Sequence, residues 1–182
     1  MALDDETGEL FSLPKGVLDY ALAGAILMEL AFQRCIDSDL THLTVIDPAP
    51  TGDLLLDEIL KELSLEESIS IEHGLREISA NAKEIRERTF QSLVDKNILQ
   101  RKETRYFWGY KARRYPIIDD KEEKEVRSRI RGVVLADAFP DPRDVVLICL
   151  MDACQLGGTF LTPEELEAAT PRIKMVAKLD LI

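Results

Sequence analysis

The apolar and polar positions along the chain alternate long helical stretches with short β-branched ones. Val17, Leu18, Ala21, Leu22, Ala25, Ile26, Met28 and Leu30 recur at helical spacing up to about Cys35. They wrap nearly all round, which predicts a central, buried helix. Ser12, followed by Leu13 and Pro14, supplies its start, because proline is tolerated in a first helical turn. Thr41–Ile46 is short and β-branched and reads as a strand. Asp47-Pro48-Ala49-Pro50 ends it, since proline bars regular ladders and helix interiors. Thr51-Gly52-Asp53 offers capping side chains to a helix over Leu54–Leu63, with Leu54, Leu55, Ile59, Leu60 and Leu63 as one buried stripe. A polar segment then leads to a long helix from about Asn81 to Asn97, striped by Ile85, Thr89, Leu93 and Val94.

Ile98-Leu99 enters a stretch of different character, RKETRYFWGYKARRY, over residues 101–115. Period-2 aromatics around Gly109 suit a β-hairpin. Beyond it come an amphipathic helix over Asp119–Ala138, a break at Phe139-Pro140-Asp141-Pro142, and a nearly all-apolar helix over Asp144–Leu156. Gly157-Gly158 ends that helix, and Thr162-Pro163-Glu164-Glu165 starts the last one. The expected architecture is mainly α: a compact single domain over residues 1–182 with a small protruding β-hairpin.

Composition sharpens one feature. The 182 residues carry a net charge of −11, with 46% hydrophobic and 31% charged positions, as soluble globular chains do. Within 101–115, however, six bases face one acid, a local +5 that leaves −16 for the remainder. Five of the chain's eleven aromatics lie there: Tyr106, Phe107, Trp108, Tyr110 and Tyr115. Amphipathic rings flanked by Lys and Arg suit a membrane–water interface. An aromatic hairpin packed onto its own domain is the plainer reading of the same residues.

Reactive chemistry is not evident. His42 and His73 sit in no Ser, Cys or carboxylate arrangement, and no phosphate loop, dinucleotide motif or zinc spacing is present. A non-enzymatic role without cofactor or metal is expected. Cys35, Cys149 and Cys154 lie in apolar runs, which suggests buried, reduced thiols in a cytoplasmic setting. The apolar run Tyr20–Met28 is too short to span a bilayer, and the first residues lack the pattern of a secretory signal. Any membrane contact is therefore expected to be peripheral. A helix ending in LVDKNILQRKE before a basic hairpin also reads as a winged-helix-like module for nucleic acid or protein. The acidic total weighs against nucleic acid.

Several segments in order, ALDDETGE at 2–9, AILMELA at 25–31, DPAPTGDLLLDEIL at 47–60, IRERTFQSLVDKNIL at 85–99 and YFWGYKARRYPI at 106–117, together resemble the Golgi phosphoprotein 3 family of peripheral membrane proteins. The resemblance implies a largely helical fold that binds phosphatidylinositol 4-phosphate in a basic pocket and inserts an apolar hairpin into the bilayer. It also implies a place on the cytosolic Golgi face, with coat components and glycosyltransferase tails as clients in eukaryotes. Lys83 and Arg86 match two family arginines one helical turn apart and so are the expected lipid-phosphate-binding residues; Tyr106, Phe107 and Trp108 are the expected membrane hairpin. A solvated helix face, with salt bridges to Glu84 and Glu87, is the plainer reading of Lys83 and Arg86. Two further pocket positions of the eukaryotic family, a Trp and an Arg, align with Pro14 and Ala23. That departure puts the headgroup preference in question and looks more like the prokaryotic branch. Against the family pattern, the chain is expected to be short at both ends.

Overall fold

The computed structural model describes residues 3–4, 7–11, 13–39, 41–105 and 111–178. Seven α-helices and two small antiparallel sheets occur among the described residues, so the mainly helical expectation holds. Contacts group the chain into two units: Pro14–Arg86, and the residues up to Leu13 together with Glu87–Lys178.

The first unit is built around α1 (Val17–Phe32), whose Ala23, Ile26, Leu27 and Leu30 are buried. Its start lies later than Pro14, because Gly16 adopts φ +84°, a left-handed conformation that no right-handed helix can contain. Its end is a Schellman closure. The Cys35 amide donates to the Leu30 carbonyl at 2.9 Å and that of Arg34, itself left-handed, to Ala31 at 2.9 Å. The chain then forms β1 (Ile36–Ser38) and β2 (His42–Val45), and later β3 (Ile69–Ser70), in the order β1-β2-β3.

Between the strands, α2 (Leu54–Leu63) is started by Asp53, whose carboxylate accepts from the Leu55 and Leu56 amides at 2.8 and 3.3 Å. Such a cap is worth about 1 kcal/mol. Thr51 adds a second lock, donating its hydroxyl and its amide to Asp57, at 2.7 and 2.6 Å. The polar residues of the APTGD motif thus hold a helix start. The expected α2 stripe needs one correction: Leu54 is 76% exposed, and Leu56 takes the buried place. Two positions from Leu56, Leu54 lies on the opposite face of the helix, with exposed Glu58 and Lys61.

Two further helices complete this part of the chain. The polar segment after α2 contains α3 (Ile71–Ala80), capped by Ser70, which accepts from the His73 amide at 3.2 Å. Buried Gly74 lets it pack on β2, since a Cβ there would meet Leu43 Cδ1 at 3.1 Å. Next, α4 (Ala82–Asp95) begins in this unit and ends in the other; its Ala82 and Ile85 are buried.

In the second unit, β4 (Lys102–Arg105) pairs antiparallel with β5 (Lys111–Arg114). Three helices follow: α5 (Lys121–Leu135), α6 (Pro142–Ala153) and α7 (Pro163–Val176). Ile130, Val133, Ile148 and Val176, all at most 2% exposed, form their shared interior. Pro142 does not break the chain before α6 but serves as its first residue, behind the Asp141 cap. The buried Asp144 is satisfied by Arg129 Nε at 3.1 Å. Arg131 ties α5 to the start of α7, donating to the Phe160 carbonyl at 3.0 Å and to both carboxylate oxygens of Glu165. Glu165 also completes a capping box with Thr162.

Candidate functional site

Lys83 and Arg86 occupy the first turns of α4. Ala82 and Ile85 point inward, Lys83 turns outward, and Arg86 lies half-buried at the edge of the inward stripe. Lys83 is exposed. Arg86 is not held by a neighbour on its own helix: its Nη1 lies 3.7 Å from Asp19 Oδ1 in the first turn of α1, with the two side chains 32% and 38% exposed. Sequence reasoning missed Asp19. An acid in a first helical turn is common enough to pass as dipole compensation, and only the folded chain, not the sequence spacing, brings it to Arg86.

The two other positions that the resemblance singled out behave differently. Pro14 is exposed in the turn before α1, beside exposed Lys15. Ala23 is completely buried in the core of this unit. It presents nothing to an anion.

The hairpin exists where the sequence places it. Its register sets Lys102 opposite Arg114, Glu103 opposite Arg113 and Arg105 opposite Lys111. The expected tip residues, Tyr106, Phe107 and Trp108, lie outside the described residues. At the base, one of the five aromatics of the stretch follows the plainer reading of packing onto its own domain: Tyr115 is buried and stacks on Phe90 of α4, with centroids 4.3 Å apart and planes at 20°. Arg113, two residues back along the strand, pairs with Glu87, one turn back along α4. Strand and helix are thus joined by a ring stack and an ion pair in step. Glu87, read from sequence as a salt-bridge partner within its own helix, is engaged by the hairpin instead.

The residues preceding the first unit clamp the same base. Gly8, at φ +66°, lies so close to the strand that a Cβ would stand 2.4 Å from Pro116 N and 2.6 Å from Tyr115 C. Its carbonyl accepts from the Tyr115 amide at 2.8 Å, and neighbouring Glu9 pairs with Arg114 at 2.8 Å. Arg101 pairs with Glu103 at 3.3 Å. Among the described side chains of the cationic stretch, Arg101, Arg113 and Arg114 are therefore partnered by carboxylates, two of which lie outside it.

Other chemistry is sparse. Among the described residues no three His, Cys, Asp or Glu side chains converge as a metal would require. Burial pushes the Cys35, Cys149 and Cys154 thiols up, away from the reactive thiolate. Cys149 is only half-buried. A hollow of about 490 Å³ opens over the first sheet at Asp37, Asp39, His42 and Ser68. A second, of about 220 Å³, lies between Ile117, Ile118 and the start of α5. Neither takes in Lys83 or Arg86. No helix among the described residues is long and apolar enough to cross a membrane.

Comparison with known proteins agrees with this arrangement of segments. The chain is 28% identical over 184 residues to a vacuolar protein sorting-associated protein 74 of Eremothecium gossypii, covering 82% of this chain and 55% of that protein. It is also 28% identical over 155 residues to the Schizosaccharomyces pombe protein of the same name, covering 74% of this chain and 45% of that one. The chain thus spans about half the length of these relatives. The family model described as Golgi phosphoprotein 3 (GPP34) matches residues 1–181, and the chain belongs to the Golgi phosphoprotein 3 family.

Proposed function

We propose that this chain is a peripheral membrane protein that binds anionic phospholipid, with phosphatidylinositol 4-phosphate the headgroup its family suggests. Lys83 and Arg86 contribute the phosphate contact, and the hairpin carrying Tyr106, Phe107 and Trp108 enters the interface. The observation that carries this reading is the pair of cations one turn apart on α4, exposed Lys83 and half-buried Arg86, on a helix whose Ala82 and Ile85 are anchored in the core. Family membership supports it, as does a β4–β5 hairpin leading into the aromatic run. The chain acts by binding, with no reaction of its own. A position on the cytosolic Golgi face, and glycosyltransferase tails or coat components as clients, belong to the same proposal and rest on the family alone. So does the treatment of residues 1–182 as one Golgi phosphoprotein 3 domain. The nucleic-acid alternative loses ground at the hairpin base, where Arg113 and Arg114 are taken up by Glu87 and Glu9.

Sedimentation with vesicles tests the reading. A base near an anionic surface contributes about 1 kcal/mol, so Lys83→Ala/Arg86→Ala is expected to weaken binding about tenfold or more. Phe107→Ser/Trp108→Ser should weaken binding to the same vesicles, because neither charge nor insertion alone gives firm attachment. Binding by both variants equal to wild type would overturn the assignment.

A further inference from the structure

We infer that Asp19 is an internal counter-ion, seated where an incoming phosphate would meet Arg86, and that it sets how tightly the chain binds phosphate esters. This rests on the reading of Lys83 and Arg86 as anion-binding residues, and extends it to a residue that opposes them. The pair is loose. Its 3.7 Å separation exceeds the roughly 2.7–2.9 Å of a charge-assisted hydrogen bond. Both side chains are about one-third exposed, so solvent screens the attraction.

Two arginines of the hairpin are held more closely. Arg114 meets Glu9 at 2.8 Å, and Arg113 is hydrogen-bonded to Glu87. Arg86 is thus the arginine of these three that an external anion displaces most easily. A phosphate offers it two oxygens at once, a geometry that a guanidinium fork matches. Asp19 cannot withdraw far, because it sits in the first turn of α1, where the helix dipole favours its charge. It therefore stays close to any phosphate that Arg86 accepts. Like-charge repulsion then subtracts from the affinity.

The test is a double-mutant cycle on Asp19→Asn and Arg86→Ala, read by vesicle sedimentation with phosphatidylinositol 4-phosphate in phosphatidylcholine. A parallel titration uses the soluble inositol bisphosphate headgroup. Asp19→Asn is expected to tighten binding about two- to five-fold, the range in which exposed ion pairs fall, and to do so in both formats, since the competitor is the phosphate itself. The gain should vanish in the Arg86→Ala background. Glu72→Gln, which removes the acid of an exposed pair with Arg76 in the same unit, controls for net charge and should change nothing. An unchanged affinity for Asp19→Asn overturns the inference. So does a gain that persists without Arg86, or one matched by Glu72→Gln. If Lys83→Ala/Arg86→Ala weakens binding while Asp19→Asn has no effect, the inference alone fails; if that double variant binds as wild type, the underlying reading fails with it.

Discussion

At the scale of single residues, the family-like motifs divide into those that build and those that remain for contact. Gly8 builds. A Cβ at that position would collide with backbone atoms of Tyr115 and Pro116 that cannot rotate away, and the left-handed φ adds its own cost. Gly8→Ala is expected to destabilise by about 2–4 kcal/mol and to undock the segment from β5. Gly16, equally left-handed but with open space around it, serves as the comparison, with Gly16→Ala costing about 1 kcal/mol. Thermal unfolding of the two variants checks this, and equal losses would mean that the close approach at Gly8 is not what matters. The sequence shows Gly8 only as a turn residue, because the strand it touches lies far along the chain. Lys83 and Arg86 were legible as a pair one turn apart, whereas Asp19 was not. Tyr115 read as one ring among five, and nothing local marks it as the one that stacks on Phe90.

At the scale of elements, legibility followed the strength of the local signal. Leu54–Leu63 emerged with its expected bounds because Asp53 and the leucine periodicity agree. In contrast, α3 was hidden by its own packing device: Gly74 lowers helix propensity, yet a side chain there would press on Leu43, with a Cβ 3.1 Å from its Cδ1. Ser70 with Ile71, Leu75 and Ile78 was the available clue. The ends of α1 and α6 ran long in the sequence reading, because Arg34 and Gln155 adopt the left-handed closing conformation that glycine usually signals. The start of α7 was legible from Thr162-Pro163, but its tie to α5 was not. Arg131 donates hydrogen bonds to Glu165, and the Thr162 amide adds another, which holds the Glu165 carboxyl below its ordinary range. A carboxylate depressed in the folded state contributes stability above its unfolded pKa and loses it as pH falls through the folded value. The melting temperature of Glu165→Gln should therefore lie below that of the wild type at neutral pH, and the gap should narrow in acid, below about pH 4. A gap that stays constant across that range would place the role of Glu165 in neutral hydrogen bonding rather than charge.

For the whole molecule, the governing quantity is the contrast between a total charge of −11 and a hairpin stretch of +5. Glu9 and Glu87 reduce that stretch in effect, so the free bases are fewer than the sequence suggests. An anionic membrane attracts the bases that touch it and repels every acid within the screening distance. That distance is about 30 Å at 0.01 M salt, 10 Å at 0.1 M and 3 Å at 1 M. At the lowest salt the whole acidic chain is felt, and repulsion opposes the contact. At intermediate salt the distant acids are screened while bases at the surface still act. At the highest salt the bases are screened as well. Binding to anionic vesicles is therefore expected to pass through a maximum as salt rises, rather than to fall from the start as it does for a uniformly basic protein. Phe107→Ser/Trp108→Ser should lower the whole curve without moving its maximum, since ring insertion carries no charge. Lys83→Ala/Arg86→Ala should flatten it. A steady fall from the lowest salt in the wild type would show that the acids do not reach the membrane field, and the local cationic contact would then have to account for binding without opposition.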